Sequence, residues 1–306
     1  MSARRRSGQD RPGFLHRSGF ETALLAAPVL FLVAVSALPV LYTIAMSVQS
    51  VDMFDILSLH RPFVGLRNYI HLFHNPAAGR IALNTLLFTT CSVVAQVTIG
   101  FALAVFFQRR FPGAATIRGV FLAAWIMPGL VVGAIWKWMF AGDSGVVNAI
   151  LAASGLIHAH PFWLSDPHLA LPAVIIANIW LGVPFNMILL SVGLAAIPRD
   201  LYEAAAMDGA GSIRSFVSIT LPMMRATIAA VVSLGIIFTL QQYDLISGLT
   251  EGGPANASNV AQYWSWQLSF QTYQIGQGSA LAVLMLAVTA LVASIYVSST
   301  RREVVA

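Results

Sequence analysis

Groups able to do chemistry are scarce in this sequence, and their positions restrict what they can do. The one lysine among 17 Lys and Arg is Lys137, inside AIWKWMF. A phosphate-binding P-loop needs a Gly-Lys pair after a strand, so no P-loop is possible. The seven histidines are His16, His60, His71, His74, His158, His160 and His168. All lie outside the long apolar runs, so no Ser–His pair or metal cluster can be built within a membrane. His158, His160 and His168 are close in sequence, but the segment reads as an exposed loop, and no metal site is expected. One cysteine, Cys91, excludes an intrachain disulfide. What remains is polar, aromatic and mostly uncharged. Asn178, Trp180, Gly182, Pro184, Phe185 and Asn186 lie in one apolar run, and Gln241, Gln242, Tyr243 and Asp244 interrupt another. Gly276, Gln277, Gly278 and Ser279 open the last. Amides beside aromatic faces can recognise a hydroxyl-rich ligand such as a sugar. The same groups can join helices to one another, and for any single residue both readings stay open.

These residues must be positioned by membrane helices. The 306 residues are 58% hydrophobic and 9% charged, against about 25% charged in soluble domains. A spanning helix needs roughly 20 apolar residues. The run Thr22 to Val48 is too long for a signal h-region and reads as a first span, with kinks expected at Pro28 and Pro39. Five more spans are expected near Ile81–Gln108, Ile117–Phe140, Leu169–Ala195, Ala226–Leu249 and Gln277–Ser298. The expected fold is thus an all-α integral membrane protein of about six transmembrane helices. Its layout is a tail (1–20), a first span with an outer loop (21–80), a core (81–298) and a second tail (299–306).

Orientation follows from arginine placement. With the N-terminus inside, the inner segments hold Arg4, Arg5, Arg6, Arg11, Arg17, Arg109, Arg110, Arg118, Arg199, Arg214, Arg225, Arg301 and Arg302, whereas the outer ones hold Arg61, Arg67 and Arg80. Both termini are expected in the cytoplasm of a multi-pass cell-membrane protein. Intramembrane ionisable groups, the usual means of ion coupling, reduce to Lys137 and Asp244. Lys137, between Trp136 and Trp138, reads as snorkelling at a membrane interface. An ion-coupled secondary carrier is therefore the weaker alternative.

The segment 197–222, IPRDLYEAAAMDGAGSIRSFVSITLP, is polar yet helical in pattern. Pro198 suits a first helical turn, and Asp200 and Glu203 complement the macrodipole there. Gly209 and Gly211 can end the helix at positive φ. Ser212 then caps a second short helix that Pro222 ends.

The positions Glu203, Ala204, Ala205, Asp208, Gly209, Ala210, Phe216, Ile219, Leu221 and Pro222 match the "EAA" loop of permease subunits in binding-protein-dependent ABC importers, which the chain resembles. FVGLRNY (Phe63 to Tyr69), the loop with Gly145, Asn148 and Leu151, Trp180 with Pro184 and Phe185, LTEGGP (Leu249 to Pro254) and YQIGQGSA (Tyr273 to Ala280) resemble the carbohydrate-uptake branch. Ala226 stands where that family often has proline. The resemblance implies a type I importer permease fold in a transport subunit that is not itself an enzyme. The loop 197–222 would form a coupling helix docked in an ATPase, with Glu203 as anchor, Ala204–Ala206 as the fitting face and Gly209 as the turn. Implied partners are a second permease, an ATPase dimer that binds the ATP and Mg, an extracytoplasmic binding protein and the bilayer, but no nucleic acid. No cofactor is implied for this chain. The implied cargo is a sugar, oligosaccharide or polyol, with glycerol phosphate or a glycerophosphodiester as the alternative. The expected path residues are Trp180, Pro184, Asn186, Gln241, Gln242, Tyr243, Asp244, Gly278 and Ser279.

Overall fold

A computed structural model describes residues 19–54, 61–109 and 111–305. Among these residues the fold is helical, and the sole extended pairing is an isolated antiparallel bridge between Gln49 and Phe63. Most of the expected N-terminal tail, with its five arginines, lies outside the described residues. The described residues up to Ala45 form one compact unit and those from Met46 onward a second.

The first unit carries α1 (Gly19–Leu32), a π-helical turn (Val33–Ala37) and most of α2 (Leu38–Ser47). The stretch Leu24–Ser47 is long and apolar enough to cross a membrane. Pro28 and Pro39, where kinks were expected, stand on either side of the π turn.

The second unit begins with α3 (Arg67–His74), α4 (Ala78–Phe106), α5 (Ala114–Ile126), α6 (Gly129–Met139) and α7 (Val146–Ala153). It continues through α8 (Ala170–Ala195), α9 (Arg199–Met207), α10 (Ser212–Ser215), a π turn (Phe216–Thr220) and α11 (Leu221–Leu240). It closes with α12 (Asp244–Leu249), α13 (Ala261–Trp266), a π turn (Gln267–Gln271) and α14 (Ile275–Val305). α7 carries the buried Asn148 of the loop that follows α6. Among the described residues five helices qualify as spans, or six if α5 and α6 count as one broken span.

Two expected spans are corrected. Ile117–Phe140 is not a single helix: it breaks at Met127–Pro128, and α5 and α6 meet at 102°. A residue before proline is pushed out of the helical region, and Met127 is indeed extended. Lys137 is therefore the basic residue in the last turn of a separate helix. Its two tryptophans part company, since Trp136 is buried in the core while Trp138 is 83% exposed. The fifth span is not Ala226–Leu249 but Ser212–Leu240. It ends where Gln241–Tyr243 leave the helix, and α12 starts anew at Asp244. Pro222 does not end the second helix of the loop. It follows directly on the π turn Phe216–Thr220, a local widening of the kind that accompanies helix irregularities such as proline, and the helix begun at Ser212 runs on into the span.

Small residues allow two close helix approaches. A Cβ on Gly182 of α8 would overlap the Gln96 amide of α4, and one on Gly100 of α4 would stand 2.8 Å from Cβ of Asn186. The packed core of α4, α8 and α11 continues through Ala104, Phe107, Met187, Leu190, Leu194, Met224 and Val231. Gly129 and Gly133, four apart on α6, meet α12 in the same way. A Cβ on Gly133 would lie 2.9 Å from the Leu245 carbonyl oxygen, and one on Gly248 would lie 2.7 Å from that of Leu130.

At the other end of α4, buried Asn84 fixes the loop 250–260. Its Nδ2 donates to the carbonyls of Asn256, Ala257 and Asn259 at 2.9, 3.1 and 3.0 Å. Asn84→Leu leaves those carbonyls without their donor, at a cost of about 1–3 kcal/mol. Limited proteolysis is expected to cut within 250–260 faster in that variant than in the parent.

Candidate functional site

The two helix breaks meet at one place. The end of α5, the start of α6, the end of α11 and the start of α12 border a cleft of about 260 Å³ against α4 and α8. Its polar lining is Gln96, Asn178, Asn186, Thr239, Gln242 and Asp244, and Trp125, Phe185 and Phe238 supply its aromatic lining. Trp125 stacks on Phe185 with centroids 5.2 Å apart, and Phe238 meets Phe185 edge-on at 5.6 Å. Trp125 and Phe238 are about half exposed.

Several polar groups in this lining are satisfied locally. Gln96 Nε2 donates to the Asn178 backbone carbonyl at 2.8 Å, and Asn186 Nδ2 donates to that of Gly182 at 2.8 Å. Two are not. Asn178 Nδ2, a donor, and Asn186 Oδ1, an acceptor, are buried with no hydrogen-bond partner among the described residues. The residues are 5% and 2% exposed. An unmatched buried polar atom costs about 1–3 kcal/mol. Asn178 and Asn186 are eight residues apart on α8, about 12 Å along its axis, so each would be met by a hydroxyl of its own, the first accepting and the second donating.

The expected path residues divide on this geometry. Asn186, Gln242 and Asp244 line the cleft. Trp180 and Pro184 lie on the same helix but outside the lining, with Trp180 edge-on to Trp136 at 6.1 Å and Pro184 buried. Gln241 is exposed at the end of α11. Tyr243 stacks on Tyr263 at 5.7 Å and meets Trp266 at 5.3 Å, which makes it a wall of the neighbouring core. Burial pushes the Tyr263 hydroxyl above its ordinary value, with Glu251 and Tyr243 adding to the effect. Gly278 and Ser279 are not brought to the cleft. The Gly278 carbonyl accepts from Ser265 Oγ, and any Cβ at Gly278 would overlap Ser269, so this stretch fastens α14 to α13 and the following turn. His158, His160 and His168 are exposed, and the described residues contain no group of three or more His, Cys, Asp or Glu able to hold a metal.

Sequence reasoning missed Gln96, Trp125, Met127, Gly129, Phe238 and Thr239. A signal existed for some of them. Gln96 is an amide deep in an apolar run, and Met127-Pro128-Gly129 places a Pro-Gly pair inside another, a strong break signal.

The second arrangement is α9 and its turn. Gly209 takes φ +76°. Its N–H donates to the Ala206 carbonyl at 3.1 Å and that of Ala210 to the Ala205 carbonyl at 2.8 Å, the paired bonds of a Schellman cap. Gly211 is extended and is itself the N-cap of α10, whereas Ser212 is its first helical residue and makes no cap bond. Glu203, Ala204, Asp208, Leu221 and Pro222 are exposed, while Ala205, Ala210 and Phe216 are half-buried. Met207 and Ile213 are the most exposed large apolar groups here, at 89% and 82%. Tyr202, which the sequence did not single out, ties α9 to the π turn through a 2.8 Å bond between its hydroxyl and Thr220 Oγ1. Phe216 packs edge-on against Phe101 of α4 at 5.7 Å.

The chain is 34% identical over 239 residues to the trehalose/maltose transport system permease protein MalF of Thermococcus litoralis, which covers 74% of this chain and 79% of the relative. It is 33% identical over 241 residues to the sulfoquinovosyl glycerol transport system permease protein SmoG of Agrobacterium fabrum, with 79% and 78% covered. The fold matches a subunit of a bacterial ABC transporter involved in the import of the acidic polysaccharide alginate. That match has a TM-score of 0.77 at 20% identity over 92% of this chain and 95% of that one. Residues 96–303 match the family of the binding-protein-dependent transport system inner membrane component, and the chain belongs to that family.

Proposed function

We propose that this chain is the permease subunit of an ATP-driven importer for a sugar, oligosaccharide or polyol, and that the cleft between the two helix breaks is the path its cargo takes. The observation that carries this reading is the unmatched Asn178 donor and Asn186 acceptor beside the Trp125–Phe185–Phe238 wall. Hydroxyls satisfy the first pair, and the C–H face of a sugar ring rests on aromatic groups. The trehalose and maltose in the name of one relative support the same class.

On this reading an extracytoplasmic binding protein delivers the cargo from the outer side. A second permease completes the path, and an ATPase dimer holding ATP and Mg drives it. α9 is the coupling helix on the cytoplasmic side, with both termini on that side too. Its exposed alanines let a groove approach closely, Glu203 anchors it, and Tyr202 transmits its displacement to the start of the fifth span. Binding and closure of the ATPases thereby open the cleft to one side and then the other. The chain holds no nucleotide itself.

The test is isolation of the tagged chain in mild detergent. An ATPase and a second permease are expected to come with it, and to be lost when Glu203 and Gly209 are changed. Recovery of the chain alone, still transporting in vesicles without ATP, would overturn the importer reading. Within the importer, Asn186→Ala and Gln242→Ala are each expected to lower saccharide uptake about tenfold, the effect of roughly one lost charge-free hydrogen bond of about 1.4 kcal/mol. Undiminished uptake removes that residue from the path.

A further inference from the structure

The cleft is uneven in charge. Among its lining residues Asp244 is the one charged side chain, and no Lys, Arg or His joins it. The single lysine, Lys137, lines a separate groove with Trp138 and Val146 on α6 and α7. Asp244 is held in place by close packing, for a Cβ on Gly129 would stand 2.9 Å from Asp244 Cβ. Its backbone starts α12, which is locked to α6 at Gly133 and Gly248. The carboxylate cannot withdraw by a shift of its helix. It remains exposed, at the boundary of a space whose other polar groups are neutral amides and a hydroxyl.

We infer that Asp244 sets the charge selectivity of the cleft, which accepts uncharged polyhydroxylated ligands and rejects anionic ones. The inference rests on the proposal that this cleft is the saccharide path, and it narrows that proposal to neutral cargo. A sulfonate, phosphate or carboxylate within a sugar's length of Asp244 meets like-charge repulsion that no cation in the lining offsets. At the effective dielectric near a protein surface that repulsion amounts to a factor of tens to hundreds in affinity. A hydroxyl, in contrast, donates to the same carboxylate in a charge-assisted bond.

Maltose and maltobionate, a glycosyl gluconate carrying one carboxylate on an opened second unit, serve as probes, with maltitol as the uncharged open-chain control that is expected to bind like maltose. Equilibrium binding of each is measured on the assembled importer in nanodiscs, without its binding protein, so that only the membrane path discriminates. The parent is expected to prefer maltose at least tenfold. Asp244→Asn, nearly the same shape, is expected to raise the maltobionate-to-maltose affinity ratio at least tenfold, and Asp244→Glu to hold the parent ratio. An unchanged ratio in Asp244→Asn, or equal binding of both probes by the parent, overturns the selectivity and leaves the saccharide path standing. Binding of neither probe overturns the saccharide path, and the selectivity with it.

Discussion

Gly209→Val is expected to reduce ATP-driven uptake at least tenfold while the chain still reaches the membrane. No atom outside its two neighbours lies within 4 Å of a Cβ placed there, so steric clash with the surroundings plays no part. The effect comes from the backbone. At φ +76° a β-branched residue pays about 1–2 kcal/mol in the left-handed region, and escape from it breaks both cap bonds from Gly209 and Ala210. The end of α9 then unwinds and the exposed face on Ala204 and Met207 loses its fixed direction. Gly209→Asn is the control, because asparagine accepts this conformation. Uptake and ATPase stimulation are measured on both variants at matched membrane levels. Coupling that survives in the valine variant refutes the docking role of this turn, and a loss in both variants assigns it to some cause other than φ.

Gly133→Leu is expected to be strongly damaging to the folded chain. Its Cβ would meet the Leu245 carbonyl oxygen at 2.9 Å and the Gly248 backbone at 3.0 Å. These are main-chain atoms of a helix, and they cannot rotate aside as a side chain could. α6 and α12 must separate, at a cost of about 3 kcal/mol or more. The melting temperature in detergent is expected to drop by roughly 6–12 °C, with a loss of monodisperse protein on size exclusion. Gly119→Ala in α5, where a Cβ meets nothing within 4 Å, is expected to hold or gain up to about 1 kcal/mol. A Gly133→Leu chain as stable as the parent would mean that these two helices do not meet.

Much of this was legible from the sequence, for identifiable reasons. Span number followed from runs of apolar residues, because a bilayer demands length before anything else. The α9 turn followed from Glu203, Ala204, Ala205 and Gly209, since helix, cap and exposed polar face are all local properties. The cleft was legible only in part. Asn186, Gln242 and Asp244 stand out as polar residues in apolar surroundings, yet the same argument selected Gly278 and Ser279, which serve helix packing. Residue type alone cannot separate these roles, because both use small and polar groups. Nor could apolar length reveal the break at Met127–Pro128, for the run of hydrophobic residues is unbroken there while the helix is not. Gln96 and Trp125 reach the cleft through tertiary packing, Gln96 by resting on Gly182, and that contact spans more than eighty residues of sequence.

The continuity of the helix from Ser212 to Leu240 has a mechanical consequence. Its 29 residues, at about 1.5 Å each, form a rod about 43 Å long. One end carries the α9 contact through Tyr202 and Thr220, and the other stops beside Thr239 and Gln242. Pivoted at the π turn, the 20 residues of α11, about 30 Å long, would convert a tilt of about 8° into a sweep of about 4 Å at the far end. That sweep is close to the thickness of a sugar ring. On the proposed coupling role of α9, such a rod would need no large rearrangement at its driven end, its gain being set by a turning point at the π turn Phe216–Thr220.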